Sequence, residues 1–174
     1  MSNVKLIIIG LGISGISLAK EAKKNGIQYI VLEKNKKIGG VWQHALKHSS
    51  LQTHKDFYCF DDIPFPYTCR EYPNKFEIIE YLKNVVKEYD ILSNTIFDYN
   101  VKNVVYDNIQ KFWIIDSKYK CEYIGVCSGY LSTPNMELKN NQLRNYTGTT
   151  IHSKYFKNLK NKNIKNKNIL IVGD

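Results

Sequence analysis

Six residues near the amino terminus have the types and spacing to hold a diphosphate. Gly10-Leu11-Gly12-Ile13-Ser14-Gly15 reads G-x-G-x-x-G. Gly10 permits a tight turn, Gly12 lets a pyrophosphate approach the backbone, and Gly15 lets a helix and a strand pack closely. A helix starting there turns free N–H groups and its positive dipole end toward the phosphates. Glu33 follows 23 residues after Gly10, a separation at which a carboxylate can accept the hydroxyls of an adenosine ribose. An acid there disfavours a 2′-phosphate, so FAD or NAD is expected at this site ahead of NADP. A second glycine pair, Gly39-Gly40, precedes Val41 and Trp42. Alone this is a turn with a core tryptophan. Beside the fingerprint, Gly40, Val41 and Trp42 read as a loop over the isoalloxazine side of FAD, with the indole as a flat face.

These residues need a strand, a helix and a second strand to position them. Val4 to Ile9 is a β-branched apolar run that ends at Gly10, the pattern of a buried parallel strand. Ile13 to Lys24 has helical periodicity and is stopped by Asn25-Gly26. Tyr29 to Leu32 is the second strand, completing a βαβ unit with Glu33 at its end. Residues 34 to 72 are rich in Gly, His, Pro and aromatics and are expected as long ordered loops. Asn74 with Glu77 predicts a capped helix start, with Phe76, Ile79, Leu82, Val86 and Tyr89 on its packed face. Ile96–Tyr106, Phe112–Asp116 and Tyr119–Tyr123 read as a small antiparallel meander. Tyr123 to Cys127 then rejoins the parallel sheet.

Composition narrows the function classes. The chain has 174 residues, 43% hydrophobic and 24% charged, as expected of a folded domain. It shows no signal-peptide pattern and no run long enough to span a membrane, so an integral membrane segment is not expected. The net charge of +9 comes almost entirely from lysine, since only Arg70 and Arg144 are arginines. Nucleic-acid readers lean on arginine forks, so a nucleic-acid partner is not expected. Cys59, Cys69, Cys121 and Cys127 form no C-x-x-C pair. They read as reduced thiols of a cytoplasmic protein, with Cys59 and Cys127 in the core. His44, His48, His54 and His152 lack metal-site spacing, so neither a metal site nor an acid–base catalytic set is assigned.

Further motifs carry a resemblance to the flavin-containing monooxygenase family. Gly10–Gly15, Glu33 and Gly39–Trp42 come first in order. Lys55 to Pro66 (KDFYCFDDIPFP) resembles the family's K-x-x-x-C-F-x-D-x-P-F-P stretch. Cys127-Ser128-Gly129 with Pro134 resembles its C-S-G…P segment. Tyr146-x-Gly148-x-x-x-His152-x-x-x-Phe156 resembles its F-x-G-x-x-x-H-x-x-x-[YF] signature, with Tyr146 in place of the first Phe. Phe156 is less like the Baeyer–Villiger relatives, which favour Trp there.

The resemblance implies an α/β fold: a Rossmann-like FAD-binding domain with a parallel sheet and a small antiparallel meander, incomplete at its carboxyl end. It implies FAD contacts from Gly10, Leu11, Gly12, Ile13, Ser14, Gly15, Glu33, Gly40, Val41 and Trp42. Gln52 and Thr53 stand where the family places polar groups near the flavin and nicotinamide, and Val101 where a backbone meets the adenine. The implied chemistry is reduction of FAD by NADPH, addition of O2 at the flavin, and transfer of one oxygen atom to a soft nitrogen or sulfur nucleophile. The implied layout is an FAD-binding domain over 1–153, a Lys/Asn-rich connector over 154–167, and 168–174 as the first strand of an NADPH-binding domain. Gly173 is the only residue of that second fingerprint in the sequence. The chain alone is therefore expected to lack NADPH-driven turnover, and a complementing chain is a candidate partner. The alternatives are an inert nucleotide-binding module and a lysine-rich nucleic-acid binder.

Overall fold

A computed structural model describes residues 2–130, 133–134, 145–156 and 167–172. The chain divides into two compact units, Met1–Ser132 and Thr133–Asp174.

The first unit is built on a six-stranded mixed sheet in the order β3-β2-β1-β6-β5-β4. β1 (Ser2–Ile9) lies at its centre, parallel to β2 (Tyr29–Leu32) on one side and to β6 (Tyr119–Val126) on the other. β3 (Thr95–Ile96) adds a short parallel edge beside β2. β5 (Phe112–Ile115) and β4 (Val104–Asp107) extend the other side antiparallel. The central position of β1 explains its composition. Ile7 and Ile8 point to opposite faces and both are fully buried, each contributing about 1.5–3 kcal/mol of apolar burial.

The meander is part of this sheet rather than an insertion beside it. The residues expected as two strands, Tyr119–Tyr123 and Tyr123–Cys127, form the single strand β6. Its first half pairs with β5 while its whole length pairs with β1. The expected strand over Ile96–Tyr106 is divided between β3 and β4, with 97–103 irregular between them.

Three helices matter for the site. α1 spans Ile13–Lys24, with Asn25 at its C-cap and Gly26 just beyond at φ +64°, as the sequence predicts. Ile16, Ala19 and Ala22 are buried beneath it. A second helix, α2, is one turn over Val41–His44. α3 spans Lys75–Glu88 and opens with a full capping box: Asn74 Oδ1 accepts the Phe76 and Glu77 amides, while Glu77 returns a carboxylate to Asn74 N–H at 2.8 Å.

Its packed face is rotated from the expected one. Ile78, Tyr81, Leu82, Val85 and Val86 are buried, whereas Phe76 is exposed. The first-turn place that Phe76 would have filled is taken by Lys75, whose buried side chain ends in a 2.7 Å bond from Nζ to Ala45 O. Tyr81 anchors the face. It stacks on Phe65 at 3.9 Å between ring centroids, donates to Ile63 O at 2.6 Å and accepts Phe60 N–H at 2.7 Å.

In the second unit, a 3-10 turn covers 153–156. His152 stands at its head, with Nδ1 accepting Lys154 N–H at 3.1 Å and its carbonyl accepting Tyr155 N–H at 2.8 Å. The Tyr146 ring lies against Gly148 so closely that any side chain there would overlap it. Residues 167–172 are in neither a strand nor a helix, and their apolar side chains are exposed. Most of the expected connector (157–166), together with Gly173 and Asp174 of the expected strand, lies outside the described residues.

Candidate dinucleotide site

In an open α/β sheet, ligands bind beyond the carboxyl ends of the strands, where neighbouring connections run to opposite sides. Here that point falls between β1 and β6. From β1 the chain passes through α1 to β2 on one side, and β6 occupies the other. The fingerprint sits at this point. Gly10 N–H donates to Leu32 O at 2.8 Å and Cys127 N–H donates to Ile9 O at 2.8 Å, so the loops leaving three adjacent strands converge there.

The glycines are demanded by close approaches. Gly10 has φ +101°, and a Cβ on it would stand 2.5 Å from the Cys127 carbonyl oxygen. A Cβ on Gly15 would overlap the Gly10 carbonyl. Gly39 N–H donates to Leu11 O at 2.9 Å and lays the second glycine pair on the first. Gly40, at φ +52°, meets Gly12 backbone to backbone, such that a Cβ on Gly40 would lie 3.0 Å from Gly12 Cα. Among the described residues, chain neighbours aside, only backbone atoms come within 4 Å of where a Cβ on Gly12 or Gly40 would sit. Gly12 is also the N-cap of α1 and supplies no side-chain cap, and the first intrahelical bond runs from Ile16 N–H to Gly12 O at 2.9 Å. The first amides of a helix have no intrahelical partner, and no side chain of the N-cap covers them in this 12-residue helix.

Glu33 is directed into this corner. It is 3% exposed, and its Oε2 accepts Leu11 N–H at 2.6 Å. Its Oε1 accepts the backbone and side-chain N–H groups of Asn35, both at 2.7 Å. The backbone also clamps it: Glu33 N–H donates to Ile96 O and Tyr99 N–H donates to Glu33 O, both at 2.9 Å. The segment that follows packs half-buried Val101 against an apolar cluster that contains Ile7, Leu32, Ile115, Tyr119 and Cys121.

Trp42 rises from α2 and donates from Nε1 to Tyr58 Oη at 2.7 Å, its ring edge-on to the tyrosine. Burial pushes the Tyr58 phenol up, against the opposing effect of the Trp42 bond. Val41 is exposed. Gln52 and Thr53 lie exposed in a bend after Leu51. Leu51 N–H donates to Pro73 O and Ser50 bridges to Asn74, so the local pairing groups them with the head of α3. The structure thus gathers the fingerprint, Glu33 and Gly40 into one corner, with Trp42 two residues beyond it, and holds Gln52 and Thr53 on a different anchor.

Four contributors were not singled out from sequence as part of this corner. Asn35 holds Glu33, and its place two residues after the acid was the available signal. Cys127 presses its carbonyl on Gly10. Tyr58 holds Trp42. Gly125, inside β6, lies under Leu18 so tightly that a Cβ would overlap Leu18 Cδ2, and a glycine within a strand is itself a cue to such an approach. Burial raises the Cys127 thiol, which agrees with a packing role. Among the described residues, no group of three or more His, Cys, Asp or Glu is placed to hold a metal ion, and no helix is long and apolar enough to cross a membrane.

The arrangement defines a Rossmann-like dinucleotide-binding fold. The chain belongs to the pyridine nucleotide-disulphide oxidoreductase family, whose model matches residues 7–174. It is 29% identical over 168 residues to the probable indole-3-pyruvate monooxygenase YUCCA3 of Arabidopsis thaliana, a match covering 87% of this chain and 37% of that protein. It is 25% identical over 179 residues to flavin-containing monooxygenase 5 of Homo sapiens, covering 91% of this chain and 34% of that protein. Of eight curated relatives it matches, the chain spans between 28% and 42% of the length. In structure it is similar to oxidized steroid monooxygenase bound to NADP, with a TM-score of 0.72 over 77% of this chain and 27% of that one. At 22% identity that likeness is one of fold.

Proposed function

We propose that this chain is an FAD-binding portion of a flavin-dependent monooxygenase that uses FAD, NADPH and O2 to oxygenate a soft nitrogen or sulfur nucleophile. The observation that carries the reading is the glycine-lined corner at the ends of β1 and β6, with Glu33 turned into it. The residues fit the group. A diphosphate has uncapped helix amides to accept from, glycines where side chains would obstruct it, and a carboxylate at ribose distance in sequence. FAD, when bound, supplies the redox and oxygen chemistry.

The protein's own work is positional. Gly12, Ile13, Ser14 and Gly15 seat the diphosphate with backbone N–H groups. Leu11 and Asn35 hold Glu33 toward the sugar, and the segment ending at Val101 closes the adenosine end. Gly40 lets the second loop approach, and Val41 and Trp42 flank the flavin ring, with the indole fixed by Tyr58. Gln52 and Thr53 reach the flavin and nicotinamide through the exposed bend after Leu51. Small-molecule nucleophile and O2 are the partners of the reaction, and the compartment is the cytoplasm.

A second reading, an inert nucleotide-binding module, draws on a sequence observation: residues 1–174 hold one complete G-x-G-x-x-G. On either reading the 174-residue chain binds FAD and, by itself, does not reduce it with NADPH; on the first a complementing chain restores turnover, and on the second it does not. The experiment mixes the FAD-loaded chain with NADPH under anaerobic conditions and, in a separate arm, in air with a thioether or tertiary amine. Slow or absent bleaching of the flavin by the chain alone is expected. Rapid bleaching would overturn the incompetence, and sulfoxide or N-oxide formation would remove the inert reading.

A further inference from the structure

Residues 49–51 and 73–75 pair antiparallel outside the main sheet. Leu51 N–H donates to Pro73 O and Lys75 N–H donates to Ser49 O, both at 2.9 Å, with Ser50 opposite Asn74 between them. Side chains alternate across such a pairing. Leu51, Pro73 and Lys75 are buried beneath it, which leaves Ser50 and Asn74 on the outer face. The turn at 47–48, the bend at 71–72 and the first turn of α3 border that face and form a cleft of about 370 Å³, a size that suits a small molecule.

The walls of the cleft are basic and aromatic. Lys47, His48 and Arg70 line it with three basic groups, and Tyr72 and Phe76 with two half-exposed rings. Among the described residues no carboxylate pairs with Lys47 or His48. Arg70 Nε stands 3.7 Å from Glu77 Oε1, while the other Glu77 oxygen serves the cap of α3. One carboxylate thus answers three basic groups. Asn74 Oδ1 is spent on the Phe76 and Glu77 amides, so recognition falls to side chains and not to the helix end. The Asn74 side-chain N–H groups and the Ser50 hydroxyl add uncharged donors. Tyr72 is held edge-on by His54, at 6.0 Å between ring centroids.

We infer that this cleft binds a small aromatic anion, with Lys47, His48 and Arg70 meeting its carboxylate or phosphate group and Tyr72 and Phe76 meeting its ring. Bonds from charged donors to an anion are the strong ones, and the arginine fork suits both groups. The two rings offer flat faces that a flat apolar body can cover. The cleft shares no lining residue with the fingerprint corner, so the inference does not rest on the dinucleotide seat.

The test is calorimetric titration of the FAD-loaded 174-residue chain with phenyl phosphate and with benzoate. Inorganic phosphate and acetate are the ringless controls, and benzamide is the uncharged one. One-to-one binding of an aryl anion at least about 5-fold tighter than its controls is expected. Such binding by one aryl anion alone identifies the charged group that the cleft takes. Lys47→Gln combined with Arg70→Gln should weaken the binding at least about 5-fold, and Tyr72→Ala combined with Phe76→Ala should remove the advantage over the ringless anion. Both double variants are expected to keep the circular dichroism spectrum and FAD affinity of the wild type, since all four side chains are exposed and lie outside the fingerprint corner. The variants locate the binding whether or not FAD is held, so failure of the dinucleotide seat leaves the test in force. No saturable binding of either aryl anion would overturn the inference, as would controls that bind equally well or binding unchanged in Lys47→Gln with Arg70→Gln. A matching loss of FAD affinity in that variant would also overturn it, by placing these residues in the dinucleotide seat.

Discussion

Gly15 lies so close to Gly10 that a methyl group on Gly15 would overlap the Gly10 carbonyl oxygen. The helix that carries Gly15 and the strand that ends at Gly10 are thus in backbone contact, and the turn between them has one available shape. Gly15→Ala is expected to push α1 off β1 and cost about 1–3 kcal/mol, the usual scale of overpacking, while also displacing the amides proposed to seat the diphosphate. Urea unfolding and FAD binding measured on the same variant check both effects. A Gly15→Ala protein with wild-type stability and affinity would show that the approach is not required.

Tyr81 joins α3 to the loop that precedes it. Its hydroxyl donates to Ile63 O and accepts Phe60 N–H, and burial pushes its phenol up to about 12. Tyr81→Phe keeps the ring stack on Phe65 but leaves two part-buried backbone groups without this partner. A loss of about 1–3 kcal/mol is expected, read as a lower urea midpoint with an unchanged slope.

Asp62 is the polar hub of the same loop. It accepts from Lys20 at 2.6 Å, Lys24 at 2.9 Å and Tyr89 at 2.6 Å, tying residues 58–66 to α1 and α3. The Lys20 hydrogen bond, followed by those of Tyr89 and Lys24, holds its carboxyl well below the ordinary 3.8. A folded-state value depressed in this way gives stability that is present above the unfolded value and fades as the pH falls through the folded one. Asp62→Asn is therefore expected to lower Tm at neutral pH, and the deficit should shrink as the pH drops below about 4. Burial alone would lower the Lys20 ammonium, but its bonds to Asp62 and Glu21 outweigh that and raise it from 10.5 to about 12. Its contribution is complete below 10.5 and is lost as the pH rises through 12. Thermal melts of both proteins from pH 3 to pH 11 test the pattern, and a Tm difference constant across that range would contradict it.

How much of this was legible in the sequence follows from how local each cause is. β2, α1 and the start of α3 were readable to within a residue or two, because their signals are adjacent: the Asn25-Gly26 stop, and Asn74 with Glu77. The buried face of α3 was not. Phe76 and Tyr81 are both plausible anchors by period, and only the partners Phe60, Ile63 and Phe65, more than ten residues away, select Tyr81. The double pairing of β6 was hidden for the same reason, since a strand that faces a parallel neighbour and an antiparallel one shows no break in its own pattern. In the site, the glycines and Glu33 could be read from spacing. The contact of Gly10 with Cys127 links positions far apart in the chain and needed the fold.

Gly125 extends the same logic to the far side of α1. A side chain there would meet Leu18 Cδ2. Gly125→Val is expected to cost about 1–3 kcal/mol, and Leu18→Ala in the same protein should recover part of it, because the obstructing atom is the end of a flexible side chain. Additive losses in the double variant, read by urea unfolding, would refute the coupling.

The proposed seat for the FAD diphosphate at Gly12 is open to direct measurement. Titration of the apoprotein with FAD, followed by quenching of flavin fluorescence, tests it for the wild type and for Gly12→Val. Saturable one-to-one binding by the wild type, reduced at least about 100-fold in a Gly12→Val protein that keeps its fold by circular dichroism, is the predicted result, a loss of about 2.7 kcal/mol. Equal FAD binding by the two proteins, or none by a folded wild type, would rule out that seat.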